Sequence, residues 1–510
     1  MSTRKAAPAW MPSTRAPYRY NRPVTDREYI QRVRRHPPSS LVPLIATTAA
    51  RYWEQRSWLS DGHRKYTPWA LADAARVSIV SGNEYRDTIP TDRDLLEILT
   101  AYIAFTDRAL KSLGKPQQAI WELMLRMSGE QLAWQEQDYS DFARTAAILT
   151  QTTPNKAPRV MHPGWDTDML GCPLSDYVGI AQILLGAAIN NAGRFDPTWL
   201  DSPGAALICQ AIPKPIILQV TDAHFATDTL AFRREEKDNR RSRDPELRRF
   251  EHNPLRSRPF LTGFGPAYLT PAPRAIIGKA SPLGLYHTGV KVLGDAFAQD
   301  FGELLEQYVG RQLQLLTDVT VLPEITYRSG RSQRSSVDWI VIFDDLVLLV
   351  EVKSRRPTQE LRLASERRVD ELNRMLAHAY EQIDTTAKLI AERHSAFTQV
   401  PADRPALGLI ITQEPFHVAN APFQRQHLPA TDTSIAVAGV SELEGLVTVI
   451  DMPVSRILRD RAADEERSTW ALQSALTGHE HCRNAVLDAA WNTYPWAPAA
   501  RNLPGSTASA

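Results

Sequence analysis

Three residues in the second half of the chain have the types and spacing for phosphate chemistry. They are Asp338 and, after twelve intervening residues, Glu351 and Lys353 on either side of Val352. Side chains alternate between faces along a strand, so Glu351 and Lys353 share one face while Val352 points away. The run Leu346-Val347-Leu348-Leu349-Val350 leading into them is apolar on both faces, the pattern of a central strand covered by helices on each side. An acid and a base at the end of such a strand are costly to desolvate unless a cation or their own ion pair compensates them. Asp338 opens the preceding strand, and a hairpin turning at Asp344-Asp345 brings it back beside Glu351. Two carboxylates and the Val352 carbonyl make an all-oxygen set suited to Mg²⁺, with Mn²⁺ able to substitute. A lysine next to that cation can orient or deprotonate a water and neutralise charge growing on a phosphate, the chemistry of phosphodiester hydrolysis.

The elements that must position these residues follow from periodicity. Phe297, Phe301, Leu305 and Tyr308 line one side of a helix expected over 292–316. Strands are expected at 319–327, 338–343 and 346–353, with a turn or hairpin at 329–336. A long helix carries Leu372, Leu376, Ala379, Ile383, Ala387 and Ile390 along one face. Strands at 406–412 and 434–438 follow, then a helix opened by a capping box of Ser441 and Glu444. The order is α-β-β-β-α-β-β-α.

At these residues the sequence resembles the PD-(D/E)xK nuclease superfamily, whose fold is restriction-endonuclease-like. Asp338 followed by Glu351-Val352-Lys353 is similar to its Asp…Glu-x-Lys signature, with Val337 where the motif name has Pro. The resemblance covers about 290–450 and implies an α-β-β-β-α-β core with a mixed central sheet. It implies metal ligation by Asp338, Glu351 and the Val352 carbonyl, with Lys353 handling the water. Relatives often add a Glu from the helix before the core. Leu305-Glu306-Gln307-Tyr308-Val309 is similar to that segment and makes Glu306 the choice, with Glu303 in reserve. Some also place a Gln on the following helix, and Ala379-Tyr380-Glu381-Gln382-Ile383 offers Gln382 to position the water.

Arg328, Arg331 and Arg334 precede the site and Arg355 and Arg356 follow it, where a polyphosphate backbone would be held. The expected activity is a Mg²⁺-dependent nuclease, an endonuclease on DNA before an exonuclease, in a setting such as prokaryotic defence. The alternative is a non-catalytic nucleic-acid-binding or assembly protein using the same fold as a platform. Neither a phosphate-binding Gly-x4-Gly-Lys-Ser/Thr loop nor a dinucleotide-binding Gly-x-Gly-x-x-Gly occurs, so any ATP-driven motor belongs to another chain. His479-Glu480-His481-Cys482 is a poor zinc site, because neighbours in one helical turn cannot all converge on one ion.

The rest of the chain says less about chemistry. It has 510 residues with 59 Lys+Arg against 58 Asp+Glu, a balance that excludes a uniformly basic nucleic-acid coat. Hydrophobic residues at 43% permit a packed core. Residues 1–40 read as a disordered basic tail, with nine Lys/Arg against two acids up to residue 35. Residues 41–235 read as a mainly helical domain, suited to a sensor, specificity or oligomerisation module that would recruit a second copy or a partner protein. Within it, Leu95, Leu99, Tyr102 and Leu110 mark one helix face and Ile120, Leu123, Met124 and Met127 another. Residues 236–289 read as a charged, proline-containing linker, with ten Lys/Arg against six acids over 232–258. The nuclease-like domain spans 290–455, and 456–510 read as a helical appendage with a disordered end. Three cysteines and the lack of an apolar leader point to a cytoplasmic protein with reduced thiols. The apolar stretch 178–189 is short for a membrane span and reads as a buried helix.

Overall fold

A computed structural model describes residues 24–53, 66–104, 116–131, 134, 137–242, 244–355, 357–416 and 418–497. The chain is mixed α/β, with a mixed sheet in its C-terminal half. Elements are numbered here in chain order as the argument needs them. They begin with α1 (Asp26–Val33), α2 (Pro38–Arg51), α3 (Pro116–Gln131), α4 (Asp138–Leu149) and α5 (Leu174–Asn190). Next come α6 (Arg274–Ala280), α7 (Pro282–Leu293) and α8 (Asp295–Leu313). The strands β1 (Thr320–Pro323), β2 (Thr326–Ser329), β3 (Ser332–Ser335), β4 (Trp339–Ile342) and β5 (Val347–Lys353) follow. The series closes with α9 (Arg368–Ala391), β6 (Ala406–Thr412), β7 (Ser434–Gly439), α10 (Val440–Leu446) and α11 (Ala485–Trp491).

The central sheet has the order β7-β6-β5-β4-β1. The β1–β4 and β4–β5 pairs are antiparallel, and the β5–β6 and β6–β7 pairs are parallel. One face packs on α8 and α10 through Trp339, Val341, Leu348 and Val350. The other packs on α9 through Ile340, Val347 and Leu349, against Leu376, Ala379 and Ile383. This two-sided cover is what the unbroken apolar run before Glu351 demanded.

Several sequence expectations shift. The helix expected over 292–316 is two helices, α7 and α8, broken at Gly294, whose φ of +69° suits a residue without a side chain. The strand expected at 319–327 is also two, because the chain leaves the central sheet after β1 and pairs β2 with β3 as a separate hairpin. α10 is capped by Glu442, which accepts the Gly439 N–H at 2.7 Å, not by Ser441 with Glu444. Glu444 is instead buried in a bidentate pair with Arg144 of α4, at 2.6 Å on both oxygens.

The basic tail and the linker change character in the same way. Residues 26–51 form α1 and α2, with Tyr29, Val33, Leu41 and Ile45 buried. Residues 1–23 lie outside the described part. The 236–289 stretch folds into short helical turns followed by α6 and α7. Arg248 there is buried between Asp26 and Asp73, with N–O distances of 2.9 Å to each. Charge density mimics a solvated linker when the compensating acids sit far away in sequence. The 456–497 stretch is no appendage, since Trp491, Tyr494 and Trp496 are buried in the same apolar core as α4, α5 and α8. Residues 498–510 lie outside the described part.

In α3 the expected apolar face is reversed: Ile120, Met124 and Met127 are exposed while Leu125 is buried. The opposite face docks on the C-terminal half, where Trp121 stacks on Phe423 and Arg126 Nε donates to the Leu363 carbonyl. Of the helix face expected from Leu95, Leu99, Tyr102 and Leu110, the first three are buried and Leu110 lies outside the described residues. Helix α5, which covers the 178–189 stretch, is buried as expected. Among the described residues no single helix is long and apolar enough to cross a membrane.

Helix α8 is seated on the sheet by a close approach at Gly310. A Cβ there would fall 2.1 Å from Cζ2 of Trp339, and the Trp339 Nε1–H donates to the Glu306 carbonyl one turn earlier at 3.0 Å. Replacing Gly310 with Ala raises helix propensity by about 1 kcal/mol. It also drives a methyl into a buried indole, at a cost of about 1–3 kcal/mol beyond that gain. Gly310→Ala is therefore expected to lower the denaturant midpoint, and an unchanged or raised midpoint would contradict this packing.

Candidate active site

Strand register places the acids. Pro323 pairs with Trp339, and Trp339 pairs with Val350, across three adjacent strands. One residue further along each strand, Glu324, Asp338 and Glu351 fall in a row at the same end of the sheet. Opposed residues of antiparallel strands point to the same face. Asp338 and Glu351 follow the alternation of Ile340 and Leu349 along their strands.

β5 outruns β4 at this end, and Asp338 caps the exposed strand edge. Its Oδ2 accepts the Val352 N–H at 2.7 Å. The N–H and C=O of one residue leave the same edge of a strand, so the Val352 carbonyl emerges beside Asp338, beyond the last pair of β4. Glu351 is only 2% exposed. Its Oε1 lies 2.6 Å from Lys353 Nζ, and its Oε2 is buried with no hydrogen-bond partner.

Glu306 and Glu303 project from α8, and their surroundings separate them. Glu303 accepts the Asn155 N–H at 3.2 Å and pairs with Lys156 at 3.2 Å. Glu306 is half-buried, and the Gln307 amide is the group that hydrogen-bonds it, at 3.1 Å. Burial, then the charges of Asp338 and Glu303, push the Glu306 carboxyl up to about 8. Glu303 is thus tied to Lys156 and the Asn155 N–H, and Glu306 is the half-buried acid beside Asp338. Burial also raises the carboxyls of Asp338 and Glu351. Asp338 then raises Glu351 further, while Glu324 and Glu303 raise Asp338 against the Val352 N–H and Lys353.

Gln382 does not reach the acids with its amide nitrogen. Its Nε2 donates at 2.6 Å to the carbonyl of Ser336, two residues before Asp338, so it fixes the segment that delivers Asp338. The Ser336 Oγ in turn accepts the Ile325 N–H, closing the base of the β2–β3 hairpin beside Glu324 and Asp338. Arg328, Arg331 and Arg334 ride on that hairpin, all exposed. Tyr327 opposite Arg334 is buried against Phe397, so Arg334 lies on the packed face and Arg328 on the other. Arg355 is exposed and donates to the Arg374 carbonyl at 3.1 Å. Arg356 lies outside the described residues.

Two residues at the site escaped sequence reading. Glu324 sits inside the segment expected as one strand, and only the pairing of β1 with β4 puts it opposite Asp338. Lys156 arrives from the N-terminal half with no local signal. The His479–Cys482 segment bridges to Val449 as extended chain, with His479 on Asp451 at 3.1 Å and His481 on Thr448 at 3.1 Å.

A buried carboxylate oxygen without a donor, beside a second carboxylate and a free carbonyl, is the donor chemistry of a hard cation. Among the described residues no three His, Cys, Asp or Glu side chains stand together at metal-ligand spacing. No family model matches the chain, and no curated protein matches it either.

The repulsion has a measurable signature in the cation-free protein. Below the ordinary carboxyl value of 4.5, Glu306 is protonated both folded and unfolded; above about 8 it is ionised in both, and the folded state bears a desolvated, repelled charge. The folded state binds more protons between those limits, so stability falls as pH rises through them. Glu306→Gln, which keeps the shape and removes the charge, should be near neutral at acid pH and stabilising by about 1–2 kcal/mol at alkaline pH, allowing for partial solvation. Chemical denaturation with chelator at both pH values measures this; equal effects at both would remove Glu306 from the acidic row.

Proposed function

We propose that the protein is a metal-dependent nuclease, with a PD-(D/E)xK-like, restriction-endonuclease-like domain built around β1, β4, β5, α8 and α9. The carrying observation is the row of Glu324, Asp338 and Glu351 across three strand ends, with Lys353 beside it and one buried Glu351 oxygen lacking a donor. DNA is the favoured substrate, cut internally, and prokaryotic defence is the favoured setting.

Asp338, Glu351 and the Val352 carbonyl would hold Mg²⁺ or Mn²⁺. Bound there, the cation supplies a Lewis acid for the phosphate and a water of lowered pKa. The remaining work falls to the chain itself. The Val352 N–H fixes the Asp338 carboxylate, and Gln382 fixes the segment leading to it. Glu351 holds the Lys353 ammonium at the rim, where it can neutralise charge that develops on a phosphate oxygen. Glu306, held largely protonated at neutral pH, can give or take a proton near the same phosphate. The hairpin arginines, exposed and rooted at Asp338, can grip flanking phosphates and orient the strand without reading sequence.

A second reading draws on the Lys353–Glu351 pair, which offsets part of the buried charge with no metal. On that reading the fold is a nucleic-acid-binding or assembly platform without catalysis. Cleavage separates the two. Wild-type protein should nick supercoiled plasmid with Mg²⁺ or Mn²⁺ and not with chelator. Asp338→Ala and Lys353→Ala should each reduce the rate by about 100-fold or more. Divalent-dependent cutting that survives both substitutions removes the proposed site. Gel-shift binding without cutting on any DNA or RNA supports the platform.

A further inference from the structure

A large cavity lies elsewhere, between the N-terminal helices and the C-terminal half. It measures about 1640 Å³, and neither Asp338, Glu351 nor Lys353 lines it. Pockets for small ligands usually span about 300–1,000 Å³, so this one has room for a nucleotide-sized molecule or more.

Most acids on its wall already have guanidinium partners. Asp73 pairs with Arg248, Glu130 with Arg249 at 2.9 Å, Glu444 with Arg144, and Glu414 with Arg362 at 2.5 Å. Apart from these pairs, the wall brings Arg258, Lys279 and Lys291 near one another, with His224 beside them. Arg258 is spent on main-chain carbonyls, at 2.8 Å from that of Ala226 and 3.3 Å from that of Asp222. The Lys279 ammonium meets only the Thr288 hydroxyl, at 3.1 Å. Among the described residues no carboxylate lies within ion-pairing distance of Arg258, Lys279 or Lys291. Glu235 is the nearby acid, and it is engaged by His252 at 3.4 Å.

Three cations packed together with Glu235 as the nearby carboxylate, itself shared with His252, are under-compensated in the empty protein. Burial, then Arg258 and Lys291, pull the Lys279 ammonium down to about 8. Burial, then Lys279 and Arg258, pull His224 down to about 4. Structural ion pairs elsewhere on the same wall show that the fold supplies a carboxylate where a cation must merely be stabilised. A second polar group on the wall is also unsatisfied. Gln413 is 7% exposed, and neither the nitrogen nor the oxygen of its side-chain amide has a hydrogen-bond partner. A free amide offers a donor and an acceptor together, the pair that matches a nucleobase edge.

We propose that this cavity binds a phosphate-bearing small molecule of nucleotide size, its phosphates on Arg258, Lys279 and Lys291. The cluster supplies several charges at one spot, which suits a polyphosphate, and charge-assisted bonds from Lys and Arg to phosphate are among the strong ones. This site stands apart from the carboxylate row, and a ligand in it would bridge α6, α7 and the segment carrying Arg258.

Titration calorimetry of the full chain, in chelator and at matched ionic strength, tests this with pyrophosphate and ATP. At least one probe should bind with a dissociation constant below about 1 mM, and Lys279→Gln and exposed Lys291→Gln should each weaken it by about tenfold. Lys214→Gln, on the distant Asp201 pair, should leave it unchanged. Equal affinity for the two probes identifies phosphate alone as the recognised group. Tighter ATP binding that Gln413→Ala abolishes adds the base. No binding of either probe, or undiminished affinity in Lys291→Gln with a normally folded far-ultraviolet spectrum, overturns the site.

Discussion

The arrangement depends on one electrostatic constraint: Glu351 is buried at the end of a strand covered on both faces, beside a second carboxylate. A buried carboxylate needs donors on both oxygens or it shifts toward its neutral form. Lys353 serves Oε1, and Oε2 has nothing. The Asp338 side chain adds like charge, with its Oδ2 taken up by the Val352 N–H, and the Asp338 main-chain N–H offsets this only in part. The shortfall is built into the strand order, since both acids sit one residue past the same β4–β5 pair.

Everything around the row narrows the freedom to escape that constraint. Antiparallel register sets Glu324, Asp338 and Glu351 abreast, and a slip by one residue would turn each to the opposite face. Trp339 follows Asp338 directly, packs its indole where Gly310 leaves room, and donates to the Glu306 carbonyl. Helix α8 and strand β4 therefore move together, and Glu306 keeps its position relative to Asp338. From the other layer, Gln382 ties α9 to Ser336. Two helices on opposite faces thus converge on the few residues that precede β4.

What the sequence made legible follows from the range of the interactions concerned. The Asp338, Glu351 and Lys353 group was readable because alternation and a two-sided apolar run are local patterns. So were the packed faces of α8 and α9. Glu324 was hidden because its significance lies in a pairing between strands separated by the β2–β3 hairpin. Arg248 misled because its partners, Asp26 and Asp73, are remote in sequence, and an arginine-rich stretch looks solvated until they are found. Glu444 matched a capping box by spacing, but its long-range partner Arg144 outweighed a local cap. The exposed face of α3 was missed for a similar reason: Ile120, Met124 and Met127 repeat at helical spacing, yet Trp121 and Leu125 found the partner surface.

The treatment of acids elsewhere in the molecule gives the row its meaning. Asp73, Glu130, Glu414 and Glu444 each face an arginine, mostly through two or more hydrogen bonds. These are closed structural pairs, and breaking one would strand a buried charge. Asp338 and Glu351 are grouped instead around Lys353, while Glu306 and Glu324 share Lys156 with Glu303. A fold that closes its acids so consistently leaves this group open, at a cost in stability that rises with pH. Local departures from otherwise consistent rules concentrate where a protein works. The Lys279 cluster is the same departure with the sign reversed: three cations around one shared acid, Glu235, set in a cavity large enough to receive the missing charge. The two lie in distinct places, which separates a site for a cation from a site for an anion.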